Sequence, residues 1–520
     1  MVRNCLVSGM TLLLVACASV GPDFEQPIAV QTGEWSEEFR DEFLFEPQDK
    51  IEWWESFNDP VLNNLVTLAH KQNNNLRIAG LRVVEARSAL AIAQGNRWPQ
   101  QQALVGNATA VGGSESNANT IAGPDLQYTQ YNLAASASWE IDFWGRFRRG
   151  IEAADSALLA SMADYDDVLV LLAAQVADTY TVIRTTQEQL RIAKVNRDLQ
   201  QRSYDIVDVQ FRFGSSSELD VQQAETLLLS TEATIPGLEI TLAQSRNALA
   251  VLLGLPPVDI DPLLAGGNES VPDVPQTIMV GVPADLLRQR PDVRRAEMLA
   301  MAQNAQVGVA TAGLYPSFSI AGTLGVSAAG NTNTTLSGDS GFGALFNSDS
   351  LTYSIGPSFA WPFLNYGRIK NNIRVQDARL QQALIGYRET VLQAARNVQD
   401  SMVAVSGSLR QDDLLGRGVA SAKRSTELSL LRYQEGFADY QRVLDAQQRL
   451  FSQEQRYISN KGFRVRSVIA LYRSLGGGWQ GNSANYVDDV TRTEMEQRID
   501  WDGRLDVSPG TIRDTDQSEE

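Results

Sequence analysis

Residues 131–146 read YNLAASASWEIDFWGR and contain an alternating run followed by a sharp junction. From Tyr131 to Ile141, larger apolar side chains alternate with small or polar ones, which is the period of a strand with two different faces. The junction Trp144-Gly145-Arg146 is followed by residues 151–213, a run of 63 residues without glycine or proline. If helical, this run extends about 95 Å, far more than an ordinary globular helix. The stretch predicts a strand that leads into a very long helix.

The same plan occurs twice in the chain. Trp144-Gly145-Arg146 recurs as Tyr366-Gly367-Arg368, and Gly214 recurs as Gly436, both at an offset of 222 residues. Each half contains a helix, two strand-like segments, a very long helix, a glycine turn and a returning helix. The first returning helix is predicted to break at Pro236-Gly237, because proline removes a helical hydrogen bond. Two copies are too few for a solenoid. The repeat therefore indicates that one structural unit of helices and strands occurs twice in the chain.

Four segments are predicted to be β-strands that span a membrane. Residues 101–111, 131–141, 317–327 and 350–363 alternate between apolar and polar side chains. Alternation over about ten residues indicates a transmembrane β-strand, although a half-buried sheet in a soluble domain has the same period. The long linkers between these strands are rich in Gly, Ser, Asn and Thr, which favours the membrane interpretation. Four strands cannot close a barrel, and open edges in lipid leave backbone groups unpaired, so we expect an oligomer; three copies give twelve strands and an open lumen.

The N-terminus resembles a secretory signal that ends at a lipid attachment site. Arg3 precedes an apolar run, and Leu14-Val15-Ala16-Cys17 is a small-residue cleavage site that ends in cysteine. This order resembles a bacterial lipoprotein box, in which the Cys17 thiol receives a lipid after export. The alternative is an ordinary signal peptide with an incidental cysteine. Ala18 fits sorting to the outer membrane, and no later stretch approaches the 18 apolar residues of an inner-membrane helix.

The composition argues against an enzyme and against a nucleic-acid-binding protein. The one histidine, His70, is predicted to be a solvated surface residue, and the hydrolase-like Gly338-Asp339-Ser340-Gly341 has no second histidine for a triad. One mature cysteine and no clustered ligands leave no visible transition-metal site, so no cofactor is predicted beyond the lipid on Cys17. The net charge of −18 argues against nucleic acid. Residues 481–520 hold 11 acidic and 4 basic side chains and are predicted to be disordered.

Several motifs together resemble the TolC-like outer-membrane efflux proteins, in the lipoprotein branch of tripartite systems driven by RND-type pumps (OprM/NodT-like). They cover nearly the whole mature chain in the order of that family. The motifs are Val20-Gly21-Pro22-Asp23-Phe24, Trp53-Trp54 with Asp59-Pro60, Asp142-Phe143-Trp144-Gly145-Arg146, Gly214 with Ser217 and Leu219-Asp220, Pro283-Ala284-Asp285-Leu286-Leu287 with Arg290-Pro291-Asp292-Val293-Arg294, Leu444-Asp445-Ala446-Gln447, and Leu475-Gly476-Gly477-Gly478-Trp479.

The resemblance implies an α+β membrane protein. The expected assembly is a homotrimer with a twelve-stranded β-barrel, four strands per chain, that continues into a long α-helical coiled-coil barrel with a mixed equatorial region. The implied partners are a periplasmic adaptor and an inner-membrane RND-type pump. The implied location is the bacterial outer membrane, lipid-anchored and projecting into the periplasm. The expected division is a signal peptide (1–16), a lipidated segment (17–62), a first repeat (63–254), a linker (255–283), a second repeat (284–479) and an acidic tail (480–520).

By the same resemblance, the second helical tip forms a gate. Asp445 corresponds to a ring-forming aspartate that narrows the periplasmic aperture, and Gln441 to a second constriction that a leucine usually fills. The two are four residues apart and share a helix face. Arg442 is a candidate link to an acid of a neighbouring chain such as Asp220, although all three gate residues have the pattern of an ordinary solvated surface. The residues expected to contact the adaptor at the tips are Gly214, Ser217, Asp220 and Gly436.

The predicted function is passive conduction of small molecules, such as drugs or other toxic compounds, from the periplasm to the exterior, and hence a role in antibiotic resistance. A conduit for type I protein secretion and an autonomous porin remain alternatives. A porin is open without partners, whereas a duct gated at its tip is closed. A structural or adhesive trimeric lipoprotein is a third class, and it has no through-lumen.

Overall fold

The computed structural model describes residues 19–27, 43–44, 52–114, 127–266, 270–275, 278–279, 289–331, 341–480 and 485–506. The signal peptide, Cys17, the Pro283–Leu287 motif and residues 507–520 lie outside these ranges. The chain forms two compact units. The sheet unit draws its described residues from Met1–Pro27, Glu85–Leu159 and Glu297–Ile385, and the helix unit from Ile28–Val84, Ala160–Ala296 and Gly386–Glu520.

The described residues form ten α-helices and six strands. The helices are α1 (Pro60–Gln72), α2 (Asn74–Gly95), α3 (Arg146–Arg212), α4 (Glu218–Glu232), α5 (Thr234–Leu252), α6 (Asp261–Leu264), α7 (Pro291–Ala312), α8 (Arg368–Gln434), α9 (Tyr440–Ser474) and α10 (Asp489–Glu496). The strands are β1 (Phe43–Leu44), β2 (Gln101–Gly112), β3 (Gln127–Ile141), β4 (Ile278–Met279), β5 (Ser317–Asn331) and β6 (Leu351–Ala360). Short β1 and β4 pair in parallel and so join the N-terminal segment to the linker.

The sheet unit contains one antiparallel sheet in the order β2-β3-β5-β6. All four strands predicted from the alternating pattern are present, at nearly the predicted positions. The last one ends at Ala360, before Trp361 and Phe363. Among the described residues, the outer strands β2 and β6 each pair on one side only.

The two faces of this sheet differ in polarity. The register places Leu104, Ala135, Leu324 and Tyr353 in one row, and the Tyr353 side chain is 78% exposed. The opposite face carries amides and hydroxyls, such as Asn132, whose carboxamide oxygen accepts a hydrogen bond of 2.7 Å from the Ser327 hydroxyl. Within β2, β3, β5 and β6 the single charged residue is Glu140, which pairs with Arg146 at 3.3 Å. The sheet therefore has an exposed apolar face and a neutral polar face.

The two long helices confirm the duplication. Helices α3 and α8 are both 67 residues long and begin at Arg146 and Arg368, 222 residues apart. Each follows a glycine with positive φ, Gly145 at 74° and Gly367 at 80°, a backbone conformation that other residues adopt at a cost. The predicted break near Pro236 is also present, because α4 ends at Glu232 and α5 begins at Thr234. Pro236 lies in the first turn of α5, where a missing N–H is tolerated.

The segment that follows Cys17 is docked on the sheet unit. The N–H of Val20 donates to the carbonyl of Trp144 at 3.0 Å, and Asn304 donates to the carbonyl of Pro22 at 2.9 Å. Asp23 pairs at 2.6 Å with Arg149, whose side chain is almost completely buried. A β-carbon on Gly21 would lie 2.5 Å from the Cα of Gly308, so only glycine allows this approach. The motif Val20–Asp23 is a backbone strap held on α3 and α7.

The prediction of a disordered C-terminal tail is wrong for residues 485–506. Asp488 caps α10 and forms a bidentate pair with Arg77 at 2.6 and 2.8 Å. Val487 and Leu505 are buried against Val84 in an apolar cluster. The acidic composition obscured these few apolar side chains, which are widely spaced and find their partners on α2. Residues 507–520 lie outside the described ranges.

The prediction of a solvated His70 is also wrong. His70 lies in the last turn of α1, and its ring meets Trp54 edge-on with 5.6 Å between centroids. Burial lowers its pKa from 6.5 to about 4, because the charged imidazolium is poorly solvated there. His70 is a neutral packing residue of the helix unit.

Candidate functional site

The long helices end in the same kind of turn. Gly214 (φ 77°) and Gly436 (φ 79°) follow α3 and α8 in the left-handed conformation. The N–H of Ser215 donates to the Gln210 carbonyl at 2.8 Å, and the N–H of Phe437 donates to the Arg432 carbonyl at 2.8 Å. These six-to-one bonds are those of the Schellman motif. A β-carbon at either glycine would meet no atom of the described residues within 4 Å, so the positive φ is the constraint.

The first tip is closed by a capping box. The Ser217 hydroxyl accepts from the N–H of Asp220 at 3.2 Å, and the Asp220 carboxylate accepts from the N–H of Ser217 at 3.1 Å. Ser216 donates a further bond to Asp220 at 3.1 Å. Although partial burial raises the pKa of Asp220, its bonds to Ser217 and Ser216 hold that pKa below the ordinary value. Ser217 and Asp220 thus fix the start of α4 and keep the carboxylate ionised.

An apolar cluster joins the two tips within one chain. Tyr440 and Val443 of α9 pack with Val207 of α3 and with Val221 of α4. The rings of Tyr433 and Tyr440 lie 5.1 Å apart, and the Tyr433 hydroxyl donates to the Gln210 side chain. We call this set the tip cluster; its buried members are Val207, Val221, Ala224, Tyr440, Val443 and Leu444.

The three predicted gate residues lie together on α9, on the face that the tip cluster leaves exposed. The Gln441 amide donates to the Asp445 carboxylate at 3.0 Å, so the two do share a helix face. Arg442 lies beside them and pairs with Asp439 at 3.5 Å, both side chains being exposed. Within the chain, Arg442 is therefore paired with Asp439, while Asp220 bonds to Ser216 and Ser217. A link from Arg442 to another chain stays a prediction.

Sequence reasoning missed two exposed aromatic residues at the tips. Phe213 precedes Gly214 and is 83% exposed, and Phe437 follows Gly436 and is 76% exposed. The residue after the glycine of a Schellman motif commonly packs back on its helix, which Phe437 does not. The sequence signal that could have identified them is an aromatic residue next to each turn glycine.

The described residues contain no group of three or more His, Cys, Asp or Glu that could hold a metal ion. Among the helices that the structure describes, none combines the length and the apolar character that a membrane-crossing helix needs.

The chain is similar to known proteins over most of its length. Residues 65–255 and 282–477 match the family "Outer membrane efflux protein". The chain is 31% identical to the solvent efflux pump outer membrane protein SrpC of Pseudomonas putida, covering 90% of this chain and 97% of that protein. It is 30% identical to the cation efflux system protein CusC of Escherichia coli K12, covering 90% and 98%.

A solved structure of the outer-membrane channel OprN has a TM-score of 0.80 and 29% identity to this chain, and the match covers 89% of this chain and 100% of that one.

Proposed function

The chain belongs to the outer membrane efflux protein family, whose members are channels and not enzymes, and on this premise we propose that it is a passive outer-membrane duct for small molecules. Three chains assemble, their sheets close a twelve-stranded barrel, and their helices form a tunnel that is gated at the tips. A periplasmic adaptor and an inner-membrane RND-type pump deliver the solute. The duct itself has no energy source.

The two-faced sheet is the observation that carries this proposal. Its apolar face is exposed, with Tyr353 and Ile355 each 78% accessible, which suits contact with lipid. Its edges β2 and β6 leave backbone groups unpaired, at a cost of several kcal/mol per group in a bilayer. Pairing β6 of one chain with β2 of the next removes both edges, and three chains give a barrel wide enough for a lumen.

The neutral polar face then lines the conducting path. Carboxylate rings select cations and basic rings select anions, whereas amides and hydroxyls do neither. Because this face carries Asn, Gln, Ser and Thr, the barrel passes solutes of either charge. The proposed cargo is accordingly organic small molecules rather than one ion.

The lipid anchor is the second element. Cys17 lies two residues before Ser19, which is packed against Gly145 at the junction of β3 and α3. Aromatic rings surround this junction, among them Trp144 stacked on Tyr315 at 4.5 Å between centroids. Aromatic residues of this kind concentrate at membrane interfaces. We propose that the strap brings the lipid on Cys17 to the interface that the barrel occupies.

The gate is the third element. Three copies of α9 converge so that Asp445 and Gln441 form two rings around the axis. Three carboxylates brought close together repel one another, which favours bound cations and a preference for cation flow. Arg442 offsets part of this charge, either through Asp439 of its own chain or through an acid of the neighbour.

The adaptor contact is the fourth element. Gly214, Ser217, Asp220 and Gly436 shape the two turns, and Phe213 and Phe437 extend from them. Exposed aromatic residues are frequent anchors of protein interfaces. We therefore propose that the pair offers apolar anchors to the adaptor.

Of the two alternatives, the autonomous porin makes a different electrical prediction. An autonomous porin conducts freely without partners, and a conduit for type I protein secretion is also closed at rest but serves a different pump. The lipid box and the Arg290–Arg294 motif favour small-molecule efflux, since both resemble that branch of the family.

The test is planar-bilayer recording on the solubilised particle, after its mass has been measured. We expect a trimer with low conductance and cation preference. Asn132→Asp on the polar face should increase cation preference, and the matched Asn132→Lys should shift the reversal potential the other way. A monodisperse folded monomer, or equal currents in both variants, would contradict the proposal.

A further inference from the structure

Helices α3 and α9 pack against each other in opposite chain directions. Ser203 of α3 accepts a hydrogen bond from Gln447 at 2.6 Å, and Asn196 donates to Glu454 at 2.6 Å. Further from the tips, Gln189 donates to Ser459 at 2.9 Å. In these successive contacts the residue numbers decrease along α3 and increase along α9, so the two helices are antiparallel. We call this contact the α3–α9 seam.

The seam contains a buried polar layer with unused hydrogen-bonding groups. Gln200 is 2% exposed, yet neither its amide nitrogen nor its oxygen has a partner among the described residues. The side-chain oxygens of Gln447, 1% exposed, and of Asn196 are likewise without a partner among those residues. Asn196, Gln200 and Ser203 follow each other at steps of four and three, so they lie on one face of α3. We call Asn196, Gln200, Ser203 and Gln447 the polar layer.

Within this layer, the Gln447–Ser203 bond joins the two helices, whereas Gln200 weakens the seam. A buried amide without hydrogen bonds loses its hydration and gains nothing in return, so it opposes close packing. Below the layer, the tip cluster of Val207, Tyr440 and Val443 supplies ordinary apolar attraction. The chain thus holds α9 against α3 by an apolar contact at the tip and by hydrogen bonds above it, while the Gln200 amide between those bonds favours separation or hydration.

The gate residues are carried by the same helix. Gln441 and Asp445 lie on α9, within two turns of Gln447. The aperture proposed above cannot change unless α9 moves against the helices on which it packs, and α3 is one of them.

We infer that Gln200 is a positioning residue of the gate, which keeps the α3–α9 seam weak so that α9 can shift and widen the aperture. This inference rests on the proposed function. An apolar side chain in the layer strengthens the seam and holds the gate closed. Gln200 therefore lowers the stability of the closed tip and makes opening easier.

The experiment uses the full lipidated trimer in planar bilayers. All variants carry Arg442→Ala and Asp445→Ala, which should make opening frequent enough for the open probability to be measured. Gln200→Leu should lower the open probability, on the order of two- to tenfold for one hydrogen-bonding group. The apparent unfolding temperature of the trimer should stay the same or rise. Gln200→Asn retains an amide and should restore opening.

Thr186→Val is the matched control on α3. Thr186 is buried, and its hydroxyl donates to the Val182 carbonyl of the same helix at 2.8 Å. Its loss removes a buried polar group whose hydrogen bond lies within α3, and opening should be unaffected. An unchanged open probability in Gln200→Leu, or a lower unfolding temperature together with more opening, would overturn the inference. If the background variant does not conduct at all, the proposed function fails with it.

Discussion

The Asp59 carboxylate joins two helices that are far apart in sequence. One of its oxygens accepts the N–H groups of Val61 and Leu62 and so caps α1, while the other accepts the Tyr180 hydroxyl of α3 at 2.7 Å. Arg184, fully buried, donates to the same hydroxyl at 2.9 Å. Burial, and then the bond to Asp59, raise the pKa of Tyr180 above its ordinary range. The Asp59-Pro60 motif is thus a structural junction of the helix unit.

Asp59→Ala should destabilise the helix unit by about 2 kcal/mol or more, since it removes a helix cap and a charge-assisted bond. Tyr180→Phe retains the cap and should cost less. Thermal unfolding of both single variants and of the double variant gives their coupling. A fully additive double variant would mean that the Asp59–Tyr180 bond contributes nothing.

The packing of residues 485–506 should depend on pH. The hydrogen bonds from Arg77 hold the pKa of Asp488 well below its ordinary value of 3.8. The pair therefore contributes its full stability above the pKa of the unfolded chain and loses it as the pH falls through the lower, folded pKa. Hydrogen-exchange protection of residues 485–506 should decrease below about pH 4. Asp488→Asn should abolish this dependence, and a pH-dependent loss that persists in that variant would assign it to another group.

Gate charge should govern ion selectivity. Asp445→Ala removes three carboxylates from the proposed ring, so the cation preference should fall severalfold. The addition of Arg442→Ala should raise the conductance, because it removes the cation of the proposed closed contact with the neighbouring chain. Single-channel recording measures the two effects. If the double variant retains the wild-type conductance and selectivity, the gate lies elsewhere.

Cys17 should carry the lipid. Radiolabelled palmitate should label the wild type, and Cys17→Ala should remove the label and block cleavage by the lipoprotein signal peptidase. Membrane-inserted protein should decrease without disappearing, because the sheet still favours the bilayer. An unlabelled wild type would refute lipidation.

Local patterns predicted most of the fold. Alternation from Tyr131 to Ile141 located a strand, and the glycines at 145, 214, 367 and 436 located both ends of the long helices, because each effect acts within a few residues. Contacts distant in sequence were not predictable in this way. The Arg77–Asp488 pair spans more than four hundred residues, and an acidic composition alone concealed it.

The site was predictable only in part. Spacing placed Gln441 and Asp445 on one face, as the structure confirms. The polar layer was not recognised, because Gln200 and Gln447 in a heptad pattern resemble solvated positions until their burial is known. Which of their polar groups find partners depends on the helix opposite, about which the local sequence carries no information: Gln447 donates to Ser203, whereas Gln200 has no partner among the described residues.

The equal lengths of α3 and α8 restrict how such a chain can evolve. Seven extra residues in α3 would advance its end by about 10 Å and take Val207 away from Val443 unless α8 lengthened by the same amount. Each insertion is therefore tolerated only together with its twin in the other half of the gene. Duplication therefore set the length of the long helices, and later lineages can change that length only by equal insertions or deletions in both halves.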